Sequence, residues 1–293
     1  MRRILITGAT GKIGKAVISK IPCDISIIII SKKNQSSFNR INCKQIIFDL
    51  EDYKSLPPDL WNATEVLHMA GATHEINPKI YFSVNTDLTQ HLIKLCKRNK
   101  INRFTYMSSQ AVSELGGAYS KSKFLAEKRI IKSKLNWTIL RPSEVYGEGI
   151  NCMLTKLCKL VDSSFCIPII GDGLYCLNPV HIDDLSDLIS KLIISKSEKS
   201  FKKIYTLCGP SPITFINFCK SYASYRNKKI FFFKLPVYLC KVLIKLFNIM
   251  GIRFILVDQI DRLTINKSND NSLAFNDYGY SPCNFKIFDL ENY

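Results

Sequence analysis

Tyr119 and Lys123 stand four residues apart in Tyr119-Ser120-Lys121-Ser122-Lys123. In a helix that spacing projects both side chains from one face. A phenol with an ordinary pKa near 10 is a poor base at neutral pH. A neighbouring ammonium stabilises the phenolate and brings proton exchange toward working pH. Ser109 lies ten residues before Tyr119, in Tyr106-Met107-Ser108-Ser109-Gln110-Ala111-Val112, where its hydroxyl could donate to the same substrate oxygen. Alone, a Tyr-x-x-x-Lys pair is an ordinary surface feature. It gains meaning from a second motif, Thr7-Gly8-Ala9-Thr10-Gly11-Lys12-Ile13-Gly14, which follows an apolar run and opens a helical pattern. Gly8 makes the tight turn, Gly11 lets a pyrophosphate approach the backbone, and Gly14 lets the helix pack close to the sheet. The helix N-terminus adds N–H donors and the positive end of its dipole.

Short apolar runs alternating with helical patterns are needed to bring these motifs together. Strands are predicted at Arg3–Thr7, Ile25–Ser31, Gln45–Phe48, Glu65–Met69, Arg103–Ser108 and Trp137–Arg141, and helices at Lys12–Ile21, Ile80–Arg98 and Tyr119–Lys134. Such alternation predicts an α/β fold, a doubly wound parallel sheet. The run Ile27-Ile28-Ile29-Ile30 suits a strand covered on both faces. After Gly147 the rhythm changes to helices near Met153–Val161, Ile182–Lys196 and Thr214–Ala223, separated by Gly- and Pro-marked loops. The expected division is residues 1–168 for dinucleotide binding and 169–293 mainly for substrate, with part of 178–207 returning to the sheet.

The 293 residues are 46% hydrophobic and 22% charged, which excludes global disorder. A formal charge of +17 admits nucleic acid, acidic membranes and phosphorylated small molecules as partners. No polybasic block exceeds Lys32-Lys33 or Lys202-Lys203, so a nucleic-acid stripe is not expected. Eleven cysteines without a C-x-x-C imply neither a disulfide framework nor a metal site. They fit buried thiols in a reducing cytoplasm. MRRILITGAT reads as a strand and turn rather than a signal peptide, and no eighteen-residue apolar run occurs. Phe231–Met250 is strongly apolar, with Lys234, Lys241 and Lys245 interrupting it. After the start signal at Pro236, Leu239, Leu243, Leu246 and Phe247 share a face. A helix packed in the core or at a dimer interface is expected there, with a basic amphipathic helix lying on a membrane as the alternative.

The glycine loop followed by Ser109, Tyr119 and Lys123 resembles the short-chain dehydrogenase/reductase superfamily, whose fold is of the Rossmann type. Phe48-Asp49-Leu50 matches the place of the family's adenine-contacting Asp, and Ala70-Gly71-Ala72 its turn beneath the cofactor. Asn85 resembles the Asn that braces the central strands. Ser113-Glu114 stand where the family has Tyr-Gly. Arg141-Pro142-Ser143-Glu144-Val145-Tyr146-Gly147 resembles the R-P-x-x-V-Y-G strand end of the extended, NAD(P)-dependent epimerase/dehydratase branch, where Pro142 and Val145 would meet the nicotinamide. Gly171-Asp172-Gly173 with Val180-His181-Ile182-Asp183-Asp184, and Tyr278-Gly279-Tyr280-Ser281-Pro282, carry the resemblance toward the C-terminus. It implies structural roles for His181 and Asp184.

That resemblance implies hydride transfer at C4 of a nucleotide-linked sugar, as 4-epimerisation or 4-keto reduction. Tyr119 would exchange the proton, Ser109 hold the oxygen, and Lys123 tune Tyr119 and bind the nicotinamide ribose. Gly8, Thr10, Gly11, Lys12, Ile13, Gly14, Asp49, Leu50, Ala70, Gly71 and Ala72 would complete the cofactor site. The second strand ends in Ser31-Lys32-Lys33 without an acid, which leans toward NADP(H) over NAD and so toward a reductase. Lys12 and Arg141 add basic character near the expected pyrophosphates. The alternatives are a non-catalytic NAD(P)-binding sensor of the same fold, or a reductase of a lipid-linked substrate at a membrane surface. By analogy, a homodimer would form through Ile80–Arg98 and Tyr119–Lys134.

Overall fold

The computed structural model describes residues 2–290 except 36–37, 39–41, 151, 196, 241, 243, 245–260, 263–264 and 266. Six strands, β1 (Arg3–Thr7), β2 (Ser26–Ser31), β3 (Cys43–Ile47), β4 (Glu65–His68), β5 (Arg103–Met107) and β6 (Asn136–Pro142), lie within a residue or two of the predicted positions at most ends. A further strand, β11 (Lys203–Leu207), joins them in one parallel sheet of order β11-β6-β5-β4-β1-β2-β3. The strand order reverses between β1 and β4, which opens a crevice at their carboxyl ends. The sheet is a doubly wound, Rossmann-type α/β architecture.

Strand alternation divides the core. Ile4 and Ile6 face a layer containing Val17 and Ile18 of α1 (Lys12–Lys20) and Leu188, Ile189 and Leu192 of α6 (Ile182–Ile194). Leu5 and Ile28 face the opposite layer, with Leu92 of α3 (Leu88–Arg98) and Ile130 of α4 (Ala118–Ile131). Both faces being covered explains why every residue of β2 is buried.

The predicted helix Ile80–Arg98 is interrupted. It begins as α2 (Pro78–Tyr81), widens to a π-turn over Phe82–Asp87, and resumes as α3. A π-turn adds a residue to one turn and re-aims a side chain, and here the turn contains the fully buried Asn85.

A second cluster forms beyond the sheet. Leu154, Leu157 and Val161 of α5 (Met153–Ser163) pack with Ile167 and Ile169 of β8 (Cys166–Ile170) and with Phe215 and Phe218 of α7 (Phe215–Tyr225). Short pairs link it to the sheet unit: β7 (Val145–Tyr146) with β10 (Val180–His181), and β9 (Cys176–Leu177) with β12 (Ile213–Thr214). β13 (Phe231–Leu235) runs parallel to β8. The chain then returns to the sheet through α8 (Ser272–Tyr278), where Asp277 accepts from Lys203 and from the Tyr205 hydroxyl, both at 2.6 Å.

All eleven cysteines are free thiols; five are buried, but Cys23, Cys166, Cys176 and Cys283 are exposed, contrary to uniform burial. Of the apolar face expected after Pro236, Leu239 is described and is exposed, whereas Leu243, Leu246 and Phe247 fall outside the described residues. Among the described residues no helix is long and apolar enough to cross a membrane.

Candidate active site

The sheet gathers the candidate residues at its carboxyl edge. Gly8, Thr10, Gly11, Lys12, Ile13 and Gly14 form the β1–α1 turn, Lys32 and Lys33 follow β2, and Asp49 and Leu50 follow β3. Ala70, Gly71 and Ala72 follow β4, and Pro142 ends β6 with Val145 just beyond it.

The β1–α1 turn is tight. Gly8 adopts φ +74°, and a Cβ there would lie 2.5 Å from the Ala70 nitrogen. A Cβ on Gly14 would collide with the Gly8 and Ala9 carbonyls. Gly11 donates its N–H to the Gly8 carbonyl at 3.2 Å and caps α1 without any side-chain bond. The first N–H groups of a helix have no intrahelical acceptors, so an uncapped N-terminus on a glycine cradle fits a dinucleotide pyrophosphate. The Lys12 amine lies against Gly149, where a Cβ would displace it. Ile13 and Leu50 are half-buried against the two core layers.

Lys123 is buried, and its amine donates to the Met107 carbonyl at 2.9 Å while lying 4.7 Å from the Tyr106 ring centroid. Burial pulls its pKa down to about 7, with Glu127 pulling the other way. A Cβ on Gly71 would be 3.1 Å from both the Lys123 amine and the Asn85 Oδ1. Asn85 accepts from the Ala72 N–H at 2.9 Å and donates to the Ala72 carbonyl and the Ser122 hydroxyl. The π-turn thus ties the end of β4 to α4, and the bracing role implied for Asn85 has a geometric basis.

Tyr119 is buried at the cleft floor, its ring edge-on to Tyr81 at 5.8 Å. The Arg262 guanidinium lies 3.7 Å from the Tyr119 ring centroid and donates to the Tyr81 hydroxyl at 3.1 Å. Ser109 lines the same cleft as Tyr119, together with Pro142, Ser143 and Glu144. Its Oγ accepts from the Ala111 N–H at 3.1 Å. The cleft is therefore lined by both Ser109 and Tyr119, and Lys123 follows Tyr119 by one helical turn.

Several assignments acquire different partners. Lys32, exposed at the end of β2, sits 3.0 Å from Asp49 and 2.7 Å from Glu51. Those two carboxylates raise its pKa. The Glu51 N–H and then Lys32 hold the Asp49 carboxyl below its ordinary value. Lys33 is exposed beside it. Arg141 does not serve the cleft as a free cation, because its Nε and Nη2 both donate to buried Glu127, which also accepts from Ser108. His181 caps α6 by accepting the Asp183 N–H, and Asp184 accepts the Cys283 N–H at 2.9 Å, so both are structural.

Sequence reasoning did not single out His74, Lys156, Arg262 and Lys267 in the cleft wall. Lys267 pairs with Glu144, whose other oxygen accepts the Asn178 N–H at 3.0 Å. Arg262 and Lys267 lie more than a hundred residues beyond Tyr119, in a segment without local motif spacing, and only the return of the chain brings them in.

Residues 4–208 match the model of the NAD dependent epimerase/dehydratase family. UDP-glucose 4-epimerase of Vibrio cholerae is 24% identical, with 96% of this chain and 91% of that protein covered. A sterol-4-alpha-carboxylate 3-dehydrogenase of Saccharomyces cerevisiae is 29% identical over 42% of this chain and 46% of its own length. Among solved structures, UDP-glucuronic acid 4-epimerase from Bacillus cereus, in complex with UDP-glucuronic acid and NAD, superposes with a TM-score of 0.75. It covers 99% of this chain and 97% of that one at 18% identity, a likeness of fold.

Proposed function

The chain belongs to the NAD dependent epimerase/dehydratase family, and from that premise we propose that it carries out hydride transfer at C4 of a nucleotide-linked sugar. The observation that carries this reading is Tyr119 on the floor of a cleft lined by Ser109, with Lys123 one turn along the same helix and buried against the β5 end. The nicotinamide, when bound, supplies the hydride acceptor and donor. The Gly8–Gly14 turn would hold its pyrophosphate, Asp49 and Leu50 the adenosine end, and Ala70–Ala72, Pro142 and Val145 the nicotinamide end.

Tyr119 exchanges the sugar hydroxyl proton, and Ser109 donates to the same oxygen so that charge developing there is held. Lys123, whose burial pulls its pKa down to about 7 in the ligand-free protein, sits one turn along the helix from the tyrosine; its protonated form stabilises the phenolate, and it offers N–H donors to the ribose.

The carboxylates on Lys32 offset its charge, so we take NAD as preferred over NADP, against the lean of the sequence; NAD in turn favours an epimerase, which regenerates its own cofactor. In this reading the sheet unit binds cofactor, and α5 goes with the substrate unit rather than with residues 1–168. We further propose a cytoplasmic homodimer with reduced thiols.

Tyr119→Phe removes only the hydroxyl. Turnover of UDP- and dTDP-linked hexoses should fall by about 10²–10⁴-fold, with NADH binding, read by fluorescence, nearly unchanged. Full activity in that variant would overturn the assignment. NADH binding by the wild type without turnover of any sugar nucleotide would favour the sensor reading.

A further inference from the structure

Among the described residues lining the cleft, Lys156, Arg262 and Lys267 face one acid, Glu144. Lys267 and the Asn178 N–H already engage that acid. Lys156 stands half-buried on α5. Arg262 is also half-buried, and two tyrosines fix its position. Its guanidinium lies 3.7 Å from the Tyr119 ring centroid and 5.6 Å from that of Tyr81. It donates at 3.1 Å to the hydroxyl of buried Tyr81, which also accepts the Glu75 N–H at 2.8 Å. The charge is therefore held over the tyrosine that exchanges the sugar proton, not out in solvent.

A neutral hexose presents only hydroxyl groups around C4, with no charge to match a guanidinium. A carboxylate at C6 is carried by C5, the carbon bonded to C4, whereas the diphosphate is attached at C1 across the ring. With the C4 oxygen at Tyr119, the C6 group is the neighbouring part of the sugar, and a guanidinium over the same ring is placed to meet it. Its planar fork pairs with a carboxylate through two parallel N–H···O bonds. On the hydride-transfer reading of this cleft, we propose that the sugar is a uronic acid and that Arg262 is the residue that selects its C6 carboxylate. Lys156 is then a separate cation for the diphosphate.

The test is calorimetric binding of UDP-glucuronate and UDP-glucose to the NAD-loaded protein, two ligands that share nucleotide and diphosphate. The wild type should bind UDP-glucuronate about 10- to 100-fold more tightly, the worth of one charge-assisted pair. In Arg262→Met that ratio should fall to within about threefold. In Arg262→Lys, which keeps the charge but not the fork, it should lie between the two. Circular dichroism and NADH binding verify that both variants are folded. Equal affinities in the wild type overturn the proposal. So does a ratio that survives in folded Arg262→Met while both ligands weaken together, because the arginine then serves the diphosphate they share. A uronate preference that depends on Arg262, without turnover of either ligand, supports the carboxylate site and defeats the hydride-transfer reading instead.

Discussion

Lys123→Met separates what the buried ammonium costs in stability from what it contributes to activity. Methionine is a flexible unbranched side chain of similar reach, whereas the lysine amine is buried with the Met107 carbonyl and the Tyr106 ring as close polar contacts. Desolvation takes its pKa from an ordinary 10.5 to about 7, equivalent to roughly 5 kcal/mol against the charged form as an upper bound. Between pH 7 and 10.5 the unfolded chain binds this proton and the folded chain does not. Unfolding free energy therefore rises with pH across that window. Below pH 7 both states are protonated and the full penalty applies. Urea unfolding of the ligand-free protein should show the variant more stable than wild type at pH 6 by about 2–4 kcal/mol, part of the penalty being offset by the lost hydrogen bond. The advantage should shrink by about 2.7 kcal/mol by pH 9, close to one proton's worth of linkage. Turnover should be lost at every pH. Parallel stability profiles for the two proteins, or a variant less stable at pH 6, would refute the reasoning.

Gly8→Ala should cost about 2–4 kcal/mol in urea unfolding and abolish NADH binding, because its Cβ meets backbone at Ala70 and the residue adopts φ +74°. A near-neutral effect would mean the turn is looser than described. Lys32→Ala removes an exposed pair worth about 0–1 kcal/mol, so NADPH affinity should change by less than about fivefold and NADH should bind more tightly than NADPH. A much larger loss for NADPH would put Lys32 on a 2′-phosphate.

The sheet was legible because both of its faces are covered. Apolar runs such as Ile27–Ile30 have no other use in a chain of this composition, and their alternation with amphipathic helices leaves a parallel sheet as the economical arrangement. The glycine loop was legible because backbone proximity excludes any Cβ at Gly8 and Gly14. Helix geometry does the same for Tyr119 and Lys123, since four residues make about one turn. The π-turn around Asn85 left no local signal, because widening one turn depends on what the side chain reaches, here the Ala72 backbone.

Charges were the least legible. In sequence Lys32 and Arg141 are basic residues near an expected phosphate. In space each has carboxylates within hydrogen-bond distance, Asp49 and Glu51 for one and Glu127 for the other. The sequence by itself determined the strand–helix alternation, the glycine turn after β1 and the placement of Tyr119 and Lys123 one helical turn apart, all properties of local geometry. Only the tertiary structure decided which cations are already paired, and that Arg262 lies over Tyr119. It alone left Phe165, Phe231 and Phe233 exposed at the β8–β13 pair, because such contacts arise between segments far apart in the chain.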